Sequence, residues 1–301
     1  MRCPLPTALR QFAGDYGVGR NTVIQTENLT HSYSVGTPFE RAGIAGVDLA
    51  VYEGEFLGII GHTGSGKSTL IQHLNGLLKP TSGKVVFDGI DIHSSKEYTR
   101  AVRFQVGLVF QYPEYQLFAE TVQQDIAFGP RNMGLAESEI DERVRQSADF
   151  VGLDSALLSK SPFDLSGGEK RRAAIAGVLA MRPRVLILDE PTAGLDPVGR
   201  AALLDNIETF RRETGATVLF VTHSMGEIAR RVSRIVVLDH GKVAMVGTPC
   251  DIFAQSERLE KMGLAIPEIT QIVQALRRQG IKLPADIFTV DAAAKALQKL
   301  L

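Results

Sequence analysis

The sequence predicts an α/β protein built on a mainly parallel β-sheet, and three observations predict that class. Short, continuous apolar runs recur along the chain, as is typical of strands buried on both faces. Between these runs lie segments whose apolar residues recur at helical spacing. A glycine-rich stretch joins one apolar run, Phe56–Ile60, to a helical segment that begins near Lys67. Buried strands that are interspersed with helices in this way indicate an α/β core.

The first half of the chain begins with residues 1–21, which show no clear periodicity and are predicted to form a loose extension. Short strands and turns follow from Thr22 to about Val47, with a loop at Gly36–Pro38. Beyond the helix near Lys67, residues 84–89 have the pattern of a strand that ends in a turn. These strands predict an antiparallel edge on the sheet.

The second half supplies further buried strands, which are predicted at residues 106–110, 185–188 and 217–222. The stretch from about 121 to 151 is predicted to be helical, with a break at Gly129–Pro130, and another helix is predicted to begin near Ser166. Residues 235–246 are predicted to form a hairpin around the turn Asp239–Lys242. The sheet is therefore expected to be mixed, with antiparallel strands at its edges.

A change in composition after Gly247–Pro249 suggests a boundary between two domains. We expect a core domain at residues 22–249, which includes a helical subdomain at about 115–175. We expect a second, small helical domain at residues 250–301.

Composition excludes several classes of protein. The 301 residues carry 33 basic and 34 acidic side chains. This balance argues against a nucleic-acid partner, because proteins that bind nucleic acids usually have a surplus of basic residues. The two cysteines, Cys3 and Cys250, cannot form a disulfide framework and fit a reducing cytosol. No apolar run approaches the ~18 residues of a spanning helix, and the N-terminus lacks the apolar segment of a signal peptide.

The stretch Gly61–Ser68 has the pattern G-x-x-x-x-G-K-S of a phosphate-binding loop, the Walker A motif. Strand, loop and helix occur in the order that the motif needs, which favours this interpretation over an ordinary glycine turn. The glycines let backbone N–H groups converge on phosphate at the positive end of a helix. Lys67 supplies a cation for the outer phosphates and Ser68 an oxygen for Mg²⁺. The sequence therefore predicts binding of a nucleoside triphosphate.

The strand at 185–188 leads into Asp189 and Glu190, a Walker B pattern. Asp189 is placed to hold Mg²⁺, and Glu190 is placed to orient and polarise the attacking water. Two solvated acids at a strand end are the alternative interpretation, which the upstream phosphate loop makes less favourable.

The stretch Leu165–Glu169, L-S-G-G-E, resembles the signature motif of ATP-binding cassette (ABC) proteins, usually L-S-G-G-Q. Further matches follow in the family's order. Tyr33 resembles the aromatic residue that stacks on adenine, and Gln111 the Q-loop glutamine that approaches Mg²⁺ and water. Asp196 falls in a stretch that resembles the D-loop of the dimer interface, and His223 resembles the switch histidine that contacts the γ-phosphate. The resemblance implies a P-loop NTPase cassette with a RecA-like core.

The resemblance also implies a head-to-tail dimer in which the signature of one subunit closes over the Walker A loop of another. The catalytic residues that it implies are Glu190, His223, Gln111 and Lys67, and the Mg²⁺ ligands are Ser68, Gln111 and Asp189. The implied ATP-binding residues are Tyr33, Gly61, His62, Thr63, Gly64, Ser65, Gly66, Lys67, Ser68 and Thr69, with Ser166, Gly167, Gly168 and Glu169 acting across the dimer.

Residues 111–118, 121–130 and 165–172, together with the helical C-terminal region, resemble the ATPase subunits of energy-coupling factor (ECF) transporters. Residues 36–40 and the pair His62–Thr63 resemble the second of the two ATPase types, the A-prime or CbiO-like type. This resemblance implies a transmembrane coupling subunit, a substrate-binding membrane subunit, uptake of vitamins or other micronutrients, and a position on the cytoplasmic face of the membrane. A paralogous ATPase is the favoured dimer partner, with a homodimer left open.

In this family a groove after the Q-loop receives a helix of the coupling subunit. The resemblance assigns Tyr112, Glu114 and Tyr115 to that groove, with Glu114 accepting an arginine of the partner, and it gives the C-terminal helices a contact between subunits. A local hydrophobic cluster is the plainer interpretation of the groove. A cobalt or nickel importer, a soluble ABC ATPase and a regulatory module without turnover remain as alternative functions.

Overall fold

The computed structural model describes residues 21–284 and 286–299, so the extension predicted at residues 1–21 lies, apart from Asn21, outside the described part. The strands within these ranges are β1 (Thr22–Tyr33), β2 (Arg41–Tyr52), β3 (Phe56–Ile60), β4 (Ser82–Phe87), β5 (Ile90–Asp91), β6 (Val106–Val109), β7 (Val185–Asp189), β8 (Thr217–Val221), β9 (Arg234–Asp239) and β10 (Lys242–Gly247). The α-helices are α1 (Lys67–Leu74), α2 (Lys96–Gln105), α3 (Val122–Asn132), α4 (Glu137–Phe150), α5 (Gly167–Leu179), α6 (Pro197–Thr214), α7 (Met225–Arg231), α8 (Pro249–Phe253), α9 (Ser256–Lys261), α10 (Glu268–Arg278) and α11 (Val290–Gln298).

The strands form two sheets. A six-stranded sheet has the order β10-β9-β3-β8-β7-β6, in which only β10 runs antiparallel to its neighbour. A four-stranded antiparallel sheet has the order β2-β1-β4-β5. The predicted fold class, a parallel core with an antiparallel β part and helices, is confirmed. The early strands make up the antiparallel sheet, and the predicted hairpin supplies the antiparallel edge of the larger one.

The two faces of the six-stranded sheet are covered by different elements. Along β7, Leu186 and Leu188 face a core that includes helices α3 to α6, whereas Val185 and Ile187 face α1 and the antiparallel sheet. Every residue of β3, β7 and β8 is buried. Burial on both faces explains why these strands are continuous apolar runs rather than alternating ones.

The predicted break at Gly129–Pro130 is wrong: α3 continues through both residues to Asn132, and the chain turns at Gly134 instead. Tertiary packing holds the helix there. A Cβ on Gly129 would come 2.7 Å from the side chain of Met181, so the absent side chain permits close approach to the segment after α5. Pro130 lacks the N–H of the helical ladder, yet it is buried and stays within α3.

Only helices and connecting segments follow Gly247 in the described part of the chain. Ile252, Phe253 and Leu259 join the main core, whereas Val273 and Leu283 belong to a smaller cluster formed by α10, α11 and the segment between them. None of the helices described between residues 21 and 299 is long and apolar enough to cross a bilayer.

Candidate functional site

The phosphate loop connects β3 to α1 at the carboxyl edge of the six-stranded sheet. Gly64 and Gly66 have φ angles of 82° and 99°, which favour glycine. A Cβ on Gly66 would also come 2.6 Å from the carbonyl oxygen of Gly43, so this position has no room for a side chain. The backbone N–H groups at the start of α1 have no carbonyl partners one turn earlier in the helix, and they face the loop. The loop is therefore shaped to receive an anion.

Lys67, the first residue of α1, points back over this loop. Its ammonium group donates hydrogen bonds to the carbonyl oxygens of Gly61 at 2.7 Å and His62 at 3.0 Å. Only 8% of the residue is exposed. Burial lowers the pKa of Lys67, while the negative charges of Glu190 and Asp189 act to raise it. The structure thus places a fixed cation among the loop carbonyls and within the field of two carboxylates.

Asp189 ends β7 and faces the first turn of α1. The hydroxyl of Ser68 donates a hydrogen bond to its Oδ2 at 3.2 Å. Burial raises the pKa of Asp189, while the bond from Ser68 and the charge of Lys67 act in the opposite direction. A hydroxyl and a carboxylate oxygen at this separation form the donor set that Mg²⁺ selects, so the residues present fit that ion.

Glu190 and His223 meet beyond the ends of two paired strands, β7 and β8. The Nε2 atom of His223 lies 3.1 Å from Oε1 of Glu190, whose side chain is 13% exposed. Burial raises the pKa of Glu190, and burial followed by the charge of Lys67 lowers the pKa of His223. Glu190 also has a φ of 49°, an uncommon conformation for a residue with a side chain. The carboxylate is thus buried, oriented and adjacent to an imidazole.

Strand order explains why these groups converge. β8 lies between β3 and β7, and the three strands are parallel, so the phosphate loop, Glu190 and His223 emerge at one edge. Gln111 leaves the same edge after β6, the neighbour of β7, and its side chain is exposed. Ligands of open α/β sheets bind at this carboxyl edge.

Tyr33 and Thr69 form a second contact beside the loop. The hydroxyl groups of the two residues lie 2.9 Å apart, and 41% of Tyr33 remains exposed. The ring of Tyr33 also meets the ring of His31 edge-on, with centroids 4.6 Å apart. These contacts hold an exposed aromatic face near the N-terminus of α1.

Comparison with known proteins identifies the family. A family model described as "ABC transporter" matches residues 44–193, and a model described as an AAA domain of a putative AbiEii toxin matches residues 159–229. The energy-coupling factor transporter ATP-binding protein EcfA2 of Caldanaerobacter subterraneus is 50% identical over 92% of this chain and 97% of its own. The EcfA2 of Symbiobacterium thermophilum is 52% identical over 91% and 95%.

The chain belongs to the energy-coupling factor transporter ATP-binding proteins. Among solved structures, cbiO1 of Clostridium perfringens, described as part of the ABC transporter complex cbiONQ, has a TM-score of 0.71 and 38% identity, with 84% of this chain and 99% of that chain covered. A dimeric bacterial ABC transporter cassette, MJ0796, has a TM-score of 0.69 and 29% identity, with coverage of 75% and 98%. The predicted family, including its second ATPase type, is confirmed.

The signature segment of this ECF family member begins α5 with a reciprocal cap. The Oε2 atom of Glu169 accepts hydrogen bonds from the backbone N–H of Ser166 at 2.8 Å and from its hydroxyl at 2.6 Å. Both bonds lower the pKa of Glu169, and the bond from the Ser166 hydroxyl has the larger effect. The carboxylate that replaces the family's usual glutamine therefore folds back on its own turn. Gly167 has open space where a side chain would stand.

The predicted groove residues lie in and before a short 3-10 turn, Pro113–Gln116. Tyr112 and Tyr115 are exposed, at 46% and 85%. Glu114 already holds an arginine of this same chain: both carboxylate oxygens accept from Arg171, at 2.8 and 3.1 Å. Glu114 therefore pairs with an arginine within this chain, and its contact with an arginine of a partner subunit stays a prediction.

Arg171 is the functional candidate that the sequence analysis missed. It is 4% exposed, and besides Glu114 it donates to the carbonyl oxygen of Ala193, just before the D-loop aspartate. Asp196 itself caps α6 by accepting from the N–H of Gly199 at 2.7 Å. Arg171 thus joins three segments: the one after the Q-loop, the signature helix and the D-loop. The sequence shows Arg171 within the signature run, but it does not show that Arg171 contacts Glu114 and Ala193.

Proposed function

We propose that this chain is the ATP-hydrolysing subunit of an ECF-type transporter, with its catalytic groups at the carboxyl edge of the parallel sheet. The observation that carries the proposal is the convergence of Lys67, the pair Ser68–Asp189 and the pair Glu190–His223 at one edge. A cation, a metal-binding pair and a buried base beside an imidazole are the parts that phosphoryl transfer to water requires.

In this proposal the phosphate loop, Gly61–Ser68, binds and orients the triphosphate through its backbone N–H groups and the ammonium of Lys67. Ser68 and Asp189 hold Mg²⁺, with Gln111 approaching it from the next strand, and bound Mg²⁺ supplies charge neutralisation at the outer phosphates. Glu190 accepts a proton from the attacking water, and His223 orients Glu190 and contacts the terminal phosphate. Tyr33 offers its exposed ring to the adenine.

The second part of the proposal is a head-to-tail dimer. The relative MJ0796 is described as dimeric, and Ser166–Glu169 of this chain lie at a helix N-terminus, where a partner's phosphate is electrostatically favoured. Asp196 and the C-terminal helices add to the interface. We propose a paralogous ATPase as the partner. Closure around ATP and opening after hydrolysis then form a switch between two states that the ligand biases.

The third part is coupling to membrane proteins. The relatives are named as parts of transporters, and one is described as part of the complex cbiONQ. Tyr112 and Tyr115 form an exposed aromatic surface next to the pair Glu114–Arg171, and such surfaces suit a partner helix. We propose that a transmembrane coupling subunit docks there, with a substrate-binding subunit beyond it, on the cytoplasmic side of the membrane. The transported solutes are vitamins or other micronutrients.

Two experiments test the proposal. Purification from native membranes through a tag on this chain is expected to recover a second ATPase and two membrane proteins. The assembled complex is expected to hydrolyse ATP, and the variant Asp189→Asn is expected to lose that activity because the Mg²⁺ ligand is gone. Recovery of a soluble complex without membrane proteins would favour a non-transport ATPase. Full turnover by the Asp189→Asn variant would contradict the assigned site.

A further inference from the structure

Three side chains that commonly bind metals lie together: His62 of the phosphate loop, Asp239 at the end of β9, and His240 of the turn that follows β9. One ligand atom of each lies within 4.8 Å of the other two. Nε2 of His62 is 3.2 Å from Oδ1 of Asp239, and Nε2 of His240 is 3.8 Å from the same oxygen. The three therefore form one donor set of two nitrogens and one oxygen.

The two ring nitrogens of His62 differ in their hydrogen bonding: Nδ1 has a partner, whereas Nε2 has none among the described residues. Nδ1 lies 2.8 Å from the carbonyl oxygen of Thr63, and because a carbonyl can only accept, Nδ1 carries the proton in this contact. In the neutral ring, Nε2 then carries a lone pair and lies 3.2 Å from Oδ1 of Asp239. That Nε2 atom is buried and has no hydrogen-bond partner in the described structure. Two acceptors at this distance favour a positive species close to both.

A metal ion accounts for the arrangement better than a second proton does. A proton on Nε2 would satisfy His62 and Asp239 but would involve only two of the three groups, because Nε2 of His240 lies 3.8 Å from the same oxygen. The two rings are 5.0 Å apart between centroids and tilted by 58°, so they do not stack face to face. A cation shared by all three groups explains both contacts.

The donor set selects the class of metal. Two imidazoles and one carboxylate suit Zn²⁺ and neighbouring divalent transition metals, whereas Mg²⁺ prefers oxygen ligands alone. Ligands at the usual zinc distances in tetrahedral geometry lie about 3.3 Å from each other. The separation of 3.2 Å between His62 and Asp239 matches this value. The separation of 3.8 Å between His240 and Asp239 is about 0.5 Å longer than this value. The His240 side chain is 85% exposed, so solvent surrounds most of it and leaves room for it to approach the other two ligands.

We propose that His62, Asp239 and His240 bind a divalent transition-metal ion such as Zn²⁺ at a site distinct from the Mg²⁺ ligands of the nucleotide. The site joins two segments that already touch, since the N–H of Gly241 donates to the carbonyl oxygen of Ser65 at 3.1 Å. A bound ion adds a crosslink between the phosphate loop and the β9–β10 turn. Metal binding at this site does not depend on ATP turnover.

Titration of the full chain with Co²⁺, followed by visible absorption in buffer without nucleotide, tests the site. Co²⁺ takes up the tetrahedral sites of zinc and absorbs strongly there, so the wild type is expected to show one saturable site per chain. The test variant is His240→Asn, because asparagine tolerates the φ of 45° at this position and removes only the imidazole. Loss of one of three ligands is expected to weaken binding by ~10-fold or more.

The matched control is His93→Gln, which removes an imidazole that contacts the carbonyl oxygen of Leu78 instead. This variant is expected to bind Co²⁺ as the wild type does. A second measurement, melting with and without Zn²⁺, is expected to show stabilisation of the wild type and of His93→Gln but not of His240→Asn or Asp239→Asn. Equal Co²⁺ affinity in the wild type and His240→Asn, or no saturable site in the wild type, would overturn the proposal.

Discussion

Substitution of Glu190 by glutamine separates catalysis from stability at the proposed site. Glutamine keeps the shape of the side chain but cannot accept a proton from water. A positioned general base contributes about 10²- to 10⁴-fold to a rate, which corresponds to about 2.7 to 5.4 kcal/mol of activation free energy. We therefore expect Glu190→Gln to lower ATP turnover by ~100-fold or more, to retain ATP binding and to accumulate the closed dimer.

The same substitution is expected to stabilise the fold at neutral pH. Burial raises the pKa of Glu190 above 4.5, so the folded protein binds the proton more tightly than the unfolded chain. Stability then falls as the pH rises from 4.5 through the raised pKa, and the full cost applies above it. Glutamine carries no charge and removes that cost. The melting temperature of Glu190→Gln is expected to exceed that of the wild type at neutral pH, with the difference vanishing below pH 4.5.

The assay is steady-state ATP hydrolysis by the assembled complex, with melting of the purified chain at both pH values. Glu227→Gln is the matched control, since Glu227 is another buried glutamate with a pKa raised by burial, and it contacts Thr192 and Arg200. The control is expected to keep turnover within a few-fold of the wild type. Turnover of Glu190→Gln within tenfold of the wild type would refute the role as base. A lower melting temperature of Glu190→Gln at neutral pH would refute the electrostatic argument.

Three further predictions concern the loop, the groove and the exposed tyrosine. Lys67→Ala is expected to weaken ATP binding because the outer phosphates lose their fixed cation; unchanged affinity by calorimetry would count against this. Glu114→Lys places a second cation against buried Arg171 and is expected to impair uptake in cells more than ATP affinity, and full uptake would contradict it. Tyr33→Phe loses only the contact with Thr69, so it is expected to keep ATP affinity, whereas Tyr33→Ala is expected to lose ~10-fold with the stacking surface. Equal affinities of the two tyrosine variants would argue against stacking.

Most of the parallel core was predictable because each central strand is buried on both faces. Phe56–Ile60, Val185–Leu188 and the strand at Thr217 are continuous apolar runs, which leave little freedom for another assignment. The prediction of a break at Gly129–Pro130 was wrong because it relied on local propensity alone. Local propensity disfavours a helix there, but the contact of Gly129 with Met181 is not visible locally, and packing overrides propensity.

The sequence by itself determined which residue types lie in the phosphate loop after β3, at the end of β7 and in the signature run. The spacing of Gly61, Lys67 and Ser68, the pair after β7 and the L-S-G-G-E run identify residue types that suit phosphate and metal. The resemblance to ATP-binding cassette proteins followed from these motifs, and the resemblance to ECF ATPases followed from the segments around them. Such motifs are local, because each depends on a strand, a turn and the start of a helix within a few residues.

Only the tertiary structure decided which of these side chains meet. Strand order brings His223 to Glu190, and the packing of α5 brings Arg171 to Glu114 across 57 positions of the chain. The hairpin turn brings Asp239 and His240 to His62 in the same way. Contacts of this kind depend on how elements pack across the sheet. A single sequence records the residue types on both sides of such a contact but not their pairing.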